Sequence, residues 1–181
     1  RIPVVNTDSV YGAFMATEHL IKEGHRRIAL INAPIEFRTN RQVYDGVRLA
    51  MLQAQIELEL VENVYFGESP GYESMKRLIE KDPTLTGVIV SEDMTAWGAI
   101  RALKEVGKRV PEDVSVISLA NVPGEHNFDP AISTISIPWD DLGRKLVRLL
   151  IKVIKEPDER WEEIRITPKL ILKESTKPIG S

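Results

Sequence analysis

Gly87-Val88-Ile89-Val90-Ser91-Glu92-Asp93-Met94-Thr95-Ala96-Trp97-Gly98-Ala99-Ile100 begins as an uninterrupted apolar run and turns within a few residues into helical spacing. Four apolar residues between Thr86 and Ser91 fit a strand buried on both faces, as in a parallel sheet covered by helices above and below. Ala96, Ile100, Leu103 and Val106 then mark one face of a helix, and Gly107 ends it. The same unit recurs on either side. Residues 2–5 read as a strand. Thr7 or Asp8 caps a helix carrying Val10, Phe14, Thr17 and Ile21, which Gly24 stops. Ile28-Ala29-Leu30-Ile31 is a second strand, followed by a loop over residues 32–40 and a helix through Val43, Val47, Ala50 and Met51. A strand over residues 61–66 precedes a helix through Tyr72, Met75, Leu78 and Ile79, closed near Asp82-Pro83. Ser115-Val116-Ile117 is a strand, residues 120–131 a polar loop, residues 139–154 a helix, and residues 164–171 a last strand. The alternation predicts an α/β chain doubly wound around a mostly parallel sheet, with ligands bound at the carboxyl ends of the strands.

The chain has 181 residues, 43% hydrophobic and 28% charged, the composition of an ordinary soluble globular protein. A net charge of −3 argues against a duplex-binding surface on these residues. No apolar run approaches the ~20 residues that span a bilayer. The absence of Cys removes disulfides, thiolate metal sites and a Cys nucleophile. Arg1 in place of an initiator Met points to a fragment or a processed product.

Gly67-Glu68-Ser69-Pro70-Gly71 matches G-x-S-x-G between a strand and a helix, with Asp113 and His126 following in hydrolase order. A nucleophile elbow needs the N–H of the residue after the Ser, and Pro70 has none. The preferred reading is a helix start, with Ser69 as N-cap and Pro70 in the first helical position. His19, His25 and His126 have no metal-ligand spacing, and no phosphate-binding glycine motif occurs. No catalytic residue, metal or cofactor is therefore expected. Glu92-Asp93 and Asp140-Asp141 each open a helix, where capping is the default role. Glu92 is also a ligand candidate because it follows a buried strand at the cleft edge. Arg38 and Arg41, around the loop after the second strand, are either solvated or aimed at a polar ligand. Phe66 at a strand end and Trp139 at a helix start are either core residues or stacking faces for a sugar.

The segment His19-Leu20-Ile21-Lys22-Glu23-Gly24-His25-Arg26-Arg27-Ile28 resembles one found in the LacI/GalR family of bacterial transcription regulators. The similarity continues through residues 93–99, Val110-Pro111-Glu112-Asp113-Val114-Ser115-Val116, Pro130-Ala131-Ile132-Ser133-Thr134-Ile135, Leu142-Gly143-Arg144 and Leu172-Lys173-Glu174-Ser175-Thr176, in order and with matching spacing. This resemblance implies a periplasmic-binding-protein-like core of two lobes, each a doubly wound parallel sheet, with the N-terminal lobe incomplete in this chain. Residues 1–25 and 138–158 are expected to be part of the N-terminal lobe. Residues 26–137 and 159–176 are expected to form the C-terminal effector-binding and dimerisation lobe, and 177–181 a tail. It further implies a cytoplasmic homodimer whose small-molecule effector, a carbohydrate, controls operator DNA binding by a helix-turn-helix headpiece outside these residues. A periplasmic sugar carrier of the same fold is the alternative.

The resemblance also assigns roles. Phe66 and Trp139 match positions where aromatics pack on the effector, and Thr39 a polar position that touches it. Asp8 and Glu92 join them at the cleft edge. The family Arg three residues before Gly46 is Val43 here, with Arg41 the nearest replacement. The family Asp is Ala120, with Asn121 beside it. Phe37 adds an aromatic wall suited to a longer saccharide. Trp97 and Phe128 match dimer contacts, although helical periodicity is equally consistent with Trp97 packed in its own lobe.

Overall fold

The computed structural model describes residues 3–121, 127–157 and 163–180. Residues 1–2, 122–126 (His126 among them), 158–162 and 181 lie outside the described residues. The elements run β1 (Val5–Thr7), α1 (Ser9–Lys22), β2 (Ile28–Asn32), α2 (Arg38–Gln53), β3 (Leu60–Asn63), α3 (Glu68–Lys81), β4 (Gly87–Val90) and α4 (Asp93–Glu105). They continue with β5 (Ser115–Ser118), β6 (Ser133–Ser136), α5 (Trp139–Lys155), β7 (Ile164–Ile166) and β8 (Lys169–Ile171). Six strands form one sheet in the order β3-β2-β4-β5-β6-β8, while β1 and β7 pair separately. All pairs are parallel except β6 with β8.

Alternation along the buried strands sorts the core into two layers. Ala29, Ile31, Val88, Val90 and Val116 pack with Met75, Leu78, Ile100 and Leu103 of α3 and α4. Ile28, Leu30, Ile89 and Ile117 pack with Ala13, Leu20, Val47 and Met51 of α1 and α2. Helices thus cover both faces, as the apolar run at residues 87–90 predicts. The α3–α4 pair depends on close backbone approach: a methyl group on Gly98 would overlap the Glu68 carbonyl, and one on Gly71 the Thr95 carbonyl.

Several expectations shift. The strand expected over residues 164–171 is two strands in different sheets, because Pro168 cannot donate to a ladder and the chain changes sheets there. β6 occupies residues whose Ser and Thr content hid a strand. β3 ends at Asn63, so Phe66 lies in the following turn instead of ending the strand. α2 begins at Arg38, which places Arg38, Thr39 and Arg41 on its first turns instead of in or beside a loop. Gly67 is the N-cap of α3, with φ +132°, so Ser69 is inside the helix. The two sheets also divide the chain differently from the ranges expected for the lobes. Although expected in the N-terminal part, α1 packs on α2 and buries Ala13 and Leu20 against the six-stranded sheet. Although expected in the C-terminal part, β7 pairs with β1, and its Ile166 joins Val5 and Leu149 in a separate small core.

The C-terminal residues form a strap beside the six-stranded sheet. Ser175, fully buried, donates its hydroxyl to the Val116 carbonyl at 2.6 Å and accepts the Ser133 N–H at 2.8 Å. His25 ties down the end of the strap. Its Nε2 lies 3.1 Å from the Lys177 carbonyl, which can only accept, so Nε2 carries the proton. Burial lowers the His25 pKa below 6.5, opposed by the Lys177 carbonyl and Glu23, while His19 adds to the lowering. Below pH 6.5 the unfolded chain therefore binds a proton that the folded chain resists, and stability falls with falling pH. Urea unfolding is expected to show a midpoint that drops from pH 7 to 5.5, with a slope of at most about 1.4 kcal/mol per pH unit from this group. The drop should be shallower in His25→Gln; an equal slope in that variant would exclude His25 as its source.

Candidate effector cleft

Because β2, β3, β4 and β5 are mutually parallel, the turns that follow them emerge at one edge of the sheet. A cavity of about 390 Å³ opens there. Its wall takes Thr39, Asn40 and Val43 from α2, Phe66 from the turn after β3, Ser91 and Glu92 after β4, and Leu119, Ala120 and Asn121 after β5. Three further parts of the wall are the segments that join the two sheets. Thr7 ends β1 and Asp8 follows it before α1, Ile137 follows β6 and Trp139 opens α5, and Pro168 lies between β7 and β8.

The polar groups at this edge first hold the edge together. Asp8 caps α1, accepting the Tyr11 N–H at 3.0 Å. Glu92 caps α4: Oε2 accepts the Met94 N–H at 2.9 Å and Oε1 the Thr95 N–H at 2.6 Å. The Thr95 hydroxyl also donates to Glu92 and itself accepts the Gly67 N–H at 2.9 Å. Gly67 follows Phe66, so this chain of bonds fixes the turn that presents the ring. Asn121 accepts the Ile137 N–H through Oδ1 at 3.1 Å. A buried network sets the start of α2. Ser91 donates to Asn32 Oδ1 at 2.9 Å, Asn32 donates to the Asn40 carbonyl at 2.9 Å, and Asn40 donates to the Pro34 carbonyl at 2.9 Å. Sequence reading missed Asn32, Ser91 and Asn40. The available signal was a polar Asn closing the apolar strand Ile28-Ala29-Leu30-Ile31 at the edge where ligands bind.

Of the candidate site residues, Asp8, Thr39, Phe66, Glu92, Asn121 and Trp139 come together around one cavity, and Phe37 and Arg41 do not line it. Helix geometry excludes Arg41. Thr39, Asn40 and Val43 fall within about 100° of arc on α2, whereas residue 41 points about 100° beyond it. Phe37, the N-cap of α2, is 61% exposed. Arg38 instead joins the two sheets, donating to both carboxylate oxygens of Glu163 at 2.9 and 3.2 Å and holding that carboxyl below the usual carboxylate range. Phe66 and Trp139 remain 58% and 44% exposed, so neither is a core residue.

The hydrolase pattern does not assemble. Ser69 follows β3 at the carboxyl edge, whereas Asp113 precedes β5 at the opposite edge and is paired with Arg109 at 2.9 Å. Among the described residues no group of three or more His, Asp or Glu could hold a metal, and no helix is long and apolar enough to cross a membrane. Trp97 is half-buried against the α3–α4 core and stacks on Phe128, ring centroids 5.4 Å apart.

Comparison with known proteins agrees with this architecture. A family of periplasmic binding protein-like domains matches residues 17–176. The HTH-type transcriptional repressor PurR of Haemophilus influenzae is 35% identical over 182 residues, covering 97% of this chain and 54% of that protein. The chain thus spans about half the length of the curated relatives it matches. A complex of the transcriptional regulator CelR with cellobiose superposes with a TM-score of 0.89 at 30% identity, over 96% of this chain and 54% of that one. A LacI-family regulator from Enterococcus faecium with bound ribose gives 0.85 at 32% identity, over 97% of this chain and 66% of that one. The chain belongs to the family of periplasmic binding protein-like domains, and relatives that match nearly all of it are transcriptional repressors and LacI-family regulators.

Proposed function

We propose that these residues form the effector-binding and dimerisation part of a cytoplasmic transcription regulator whose cavity binds a small carbohydrate. The carrying observation is that two half-exposed aromatics, Phe66 from the six-stranded sheet and Trp139 from the opening of α5, line one cavity with a set of hydrogen-bonding groups. Aromatic faces fit the C–H faces of a sugar ring, and Asp8, Thr39 and Asn121 offer partners for its hydroxyls. Relatives that are repressors favour a regulator over a periplasmic carrier.

The proposed mechanism follows from the wall. Ligand in the cavity touches all three segments that join the two sheets, so a conformation that fits the ligand better is selected by movement at those segments. Operator affinity of a headpiece would change by that differential binding energy. β1, β7 and α5 are assigned to the N-terminal lobe, and α1 through β6 with β8 to the C-terminal lobe. Leu146, Val147, Leu150 and Ile151 of α5 are exposed, an apolar face suited to seating the remainder of the N-terminal lobe. The two copies of a dimer would meet at the Trp97–Phe128 surface by two-fold symmetry.

In the full-length regulator, Phe66→Ala and Trp139→Ala are each expected to weaken effector binding more than tenfold by calorimetry, with circular dichroism unchanged. Wild-type affinity in both variants would remove the aromatics from the site. Sedimentation of the full-length protein is expected to give a dimer that Trp97→Glu weakens; an unchanged dimer in that variant would place the interface elsewhere.

A further inference from the structure

We propose that the Arg38–Glu163 ion pair is a latch across the cleft, holding the two lobes in the arrangement that brings Phe66 and Trp139 to one cavity before any ligand is bound. This deepens the effector-site reading and rests on its assignment of two lobes that reorient. The pair itself is the first observation. Arg38 opens α2 in the lobe of the six-stranded sheet, and Glu163 immediately precedes β7 in the small sheet. The Arg38 guanidinium donates to both carboxylate oxygens of Glu163, at 2.9 and 3.2 Å, and Arg165 stands 3.7 Å from the same carboxylate. Neither Arg38 nor Glu163 lines the cavity, so a ligand seated there leaves the pair untouched.

The second observation is where the pair stands relative to the passages between the sheets. All three passages gather on the β6–β8 side. The Asp8 N–H donates to the Ile166 carbonyl at 3.0 Å and the Ile137 N–H to Asn121 at 3.1 Å. A methyl group on Gly12, near the start of α1, would sit 3.1 Å from Ile135 and 3.2 Å from Pro168. By contrast, α2 follows β2, three strand positions from β6, or about 14 Å at ordinary strand spacing. Glu163 lies three residues before Ile166, about 10 Å along β7 from its cleft end. The pair thus stands off the axis that the passages form. A lobe rotation of about 15° acting at that distance displaces the carboxylate by about 3 Å, which takes a 2.9 Å contact out of hydrogen-bonding range. Breaking the pair and turning the lobes are therefore one event. Because Phe66 and Trp139 come from different lobes, a ligand held between them binds the latched arrangement, and the fraction of molecules already latched scales its apparent affinity. Arg38 holds the Glu163 carboxyl below the usual carboxylate range, so the pair stays charged at neutral pH and yields to salt instead. With Glu163 made neutral, Arg38 and Arg165 face each other as like charges.

The test needs no ligand. In the full-length protein freed of any other Cys, nitroxide labels on Arg48→Cys in α2 and Lys152→Cys in α5, both exposed positions, report the distance between the lobes by electron–electron double resonance. One distance is expected to predominate in the otherwise unaltered protein at low salt. Glu163→Gln and Arg38→Gln should each raise the ratio of a second distance to the first by about two- to fivefold, the range open to an exposed pair. About 1 M salt should do the same with the pair intact and add little in Glu163→Gln. The exchanged pair, Arg38→Glu with Glu163→Arg, should bring the ratio back toward that of the native pair, which a loss of folding would not do. Two distances whose ratio is unchanged or lowered by the single substitutions and by salt would overturn the latch and leave the mobile lobes standing. A single, identical distance in every variant and at both salt concentrations would overturn the reorienting lobes and the latch together.

Discussion

Parallel pairing is the constraint on which the rest of the structure depends. Once β2, β3, β4 and β5 run the same way, each connection must return across a face of the sheet, and each following turn emerges at the same edge. Helices then cover both faces, both layers of the strands must be apolar, and the polar groups of the turns collect at the carboxyl edge. The cavity is a consequence of that topology. Its wall is made of what immediately follows each strand, and its rigidity comes from helix capping by Asp8 and Glu92 and from the Ser91–Asn32–Asn40 network.

The two sheets communicate through very short chain. Thr7-Asp8, Ile137-Pro138 and Thr167-Pro168 carry the three passages between them, and residues from all three line the cavity. The Arg38–Glu163 pair adds a polar tie outside that set. A molecule seated in the cavity is thus in contact with the parts of the backbone that must turn if the sheets reorient. Under the proposed effector role, coupling between ligand and lobe arrangement would need no long pathway through the core, since the cavity wall includes the passages between the sheets.

Most of the fold was legible because burial leaves a periodic trace. Gly87-Val88-Ile89-Val90 and Ile28-Ala29-Leu30-Ile31 read as doubly buried strands and are. Gly24 and Gly107, both with positive φ, end helices as their position suggests. β6 was not legible because its polar residues are satisfied by distant chain: Ser133 bonds to Ser175 and Thr176, partners about forty residues away. The sheet change at Pro168 and the placement of α1 against α2 are likewise set by tertiary packing. At the cleft, aromatic and charged residues stood out by type, but orientation did not. Arg41 differs from Val43 only by its phase on α2, and that phase became readable once the helix start was fixed at Arg38. Asn32 and Ser91 were inconspicuous because their importance lies in each other.

The central claim is that a ligand sits at the carboxyl edge between the two aromatics. The most direct measurement is the crystal structure of the full-length protein with its tightest-binding carbohydrate. Ligand density flanked by Phe66 and Trp139 is the expected result. Density at any other place on the molecule, with this cavity holding only solvent, would contradict it.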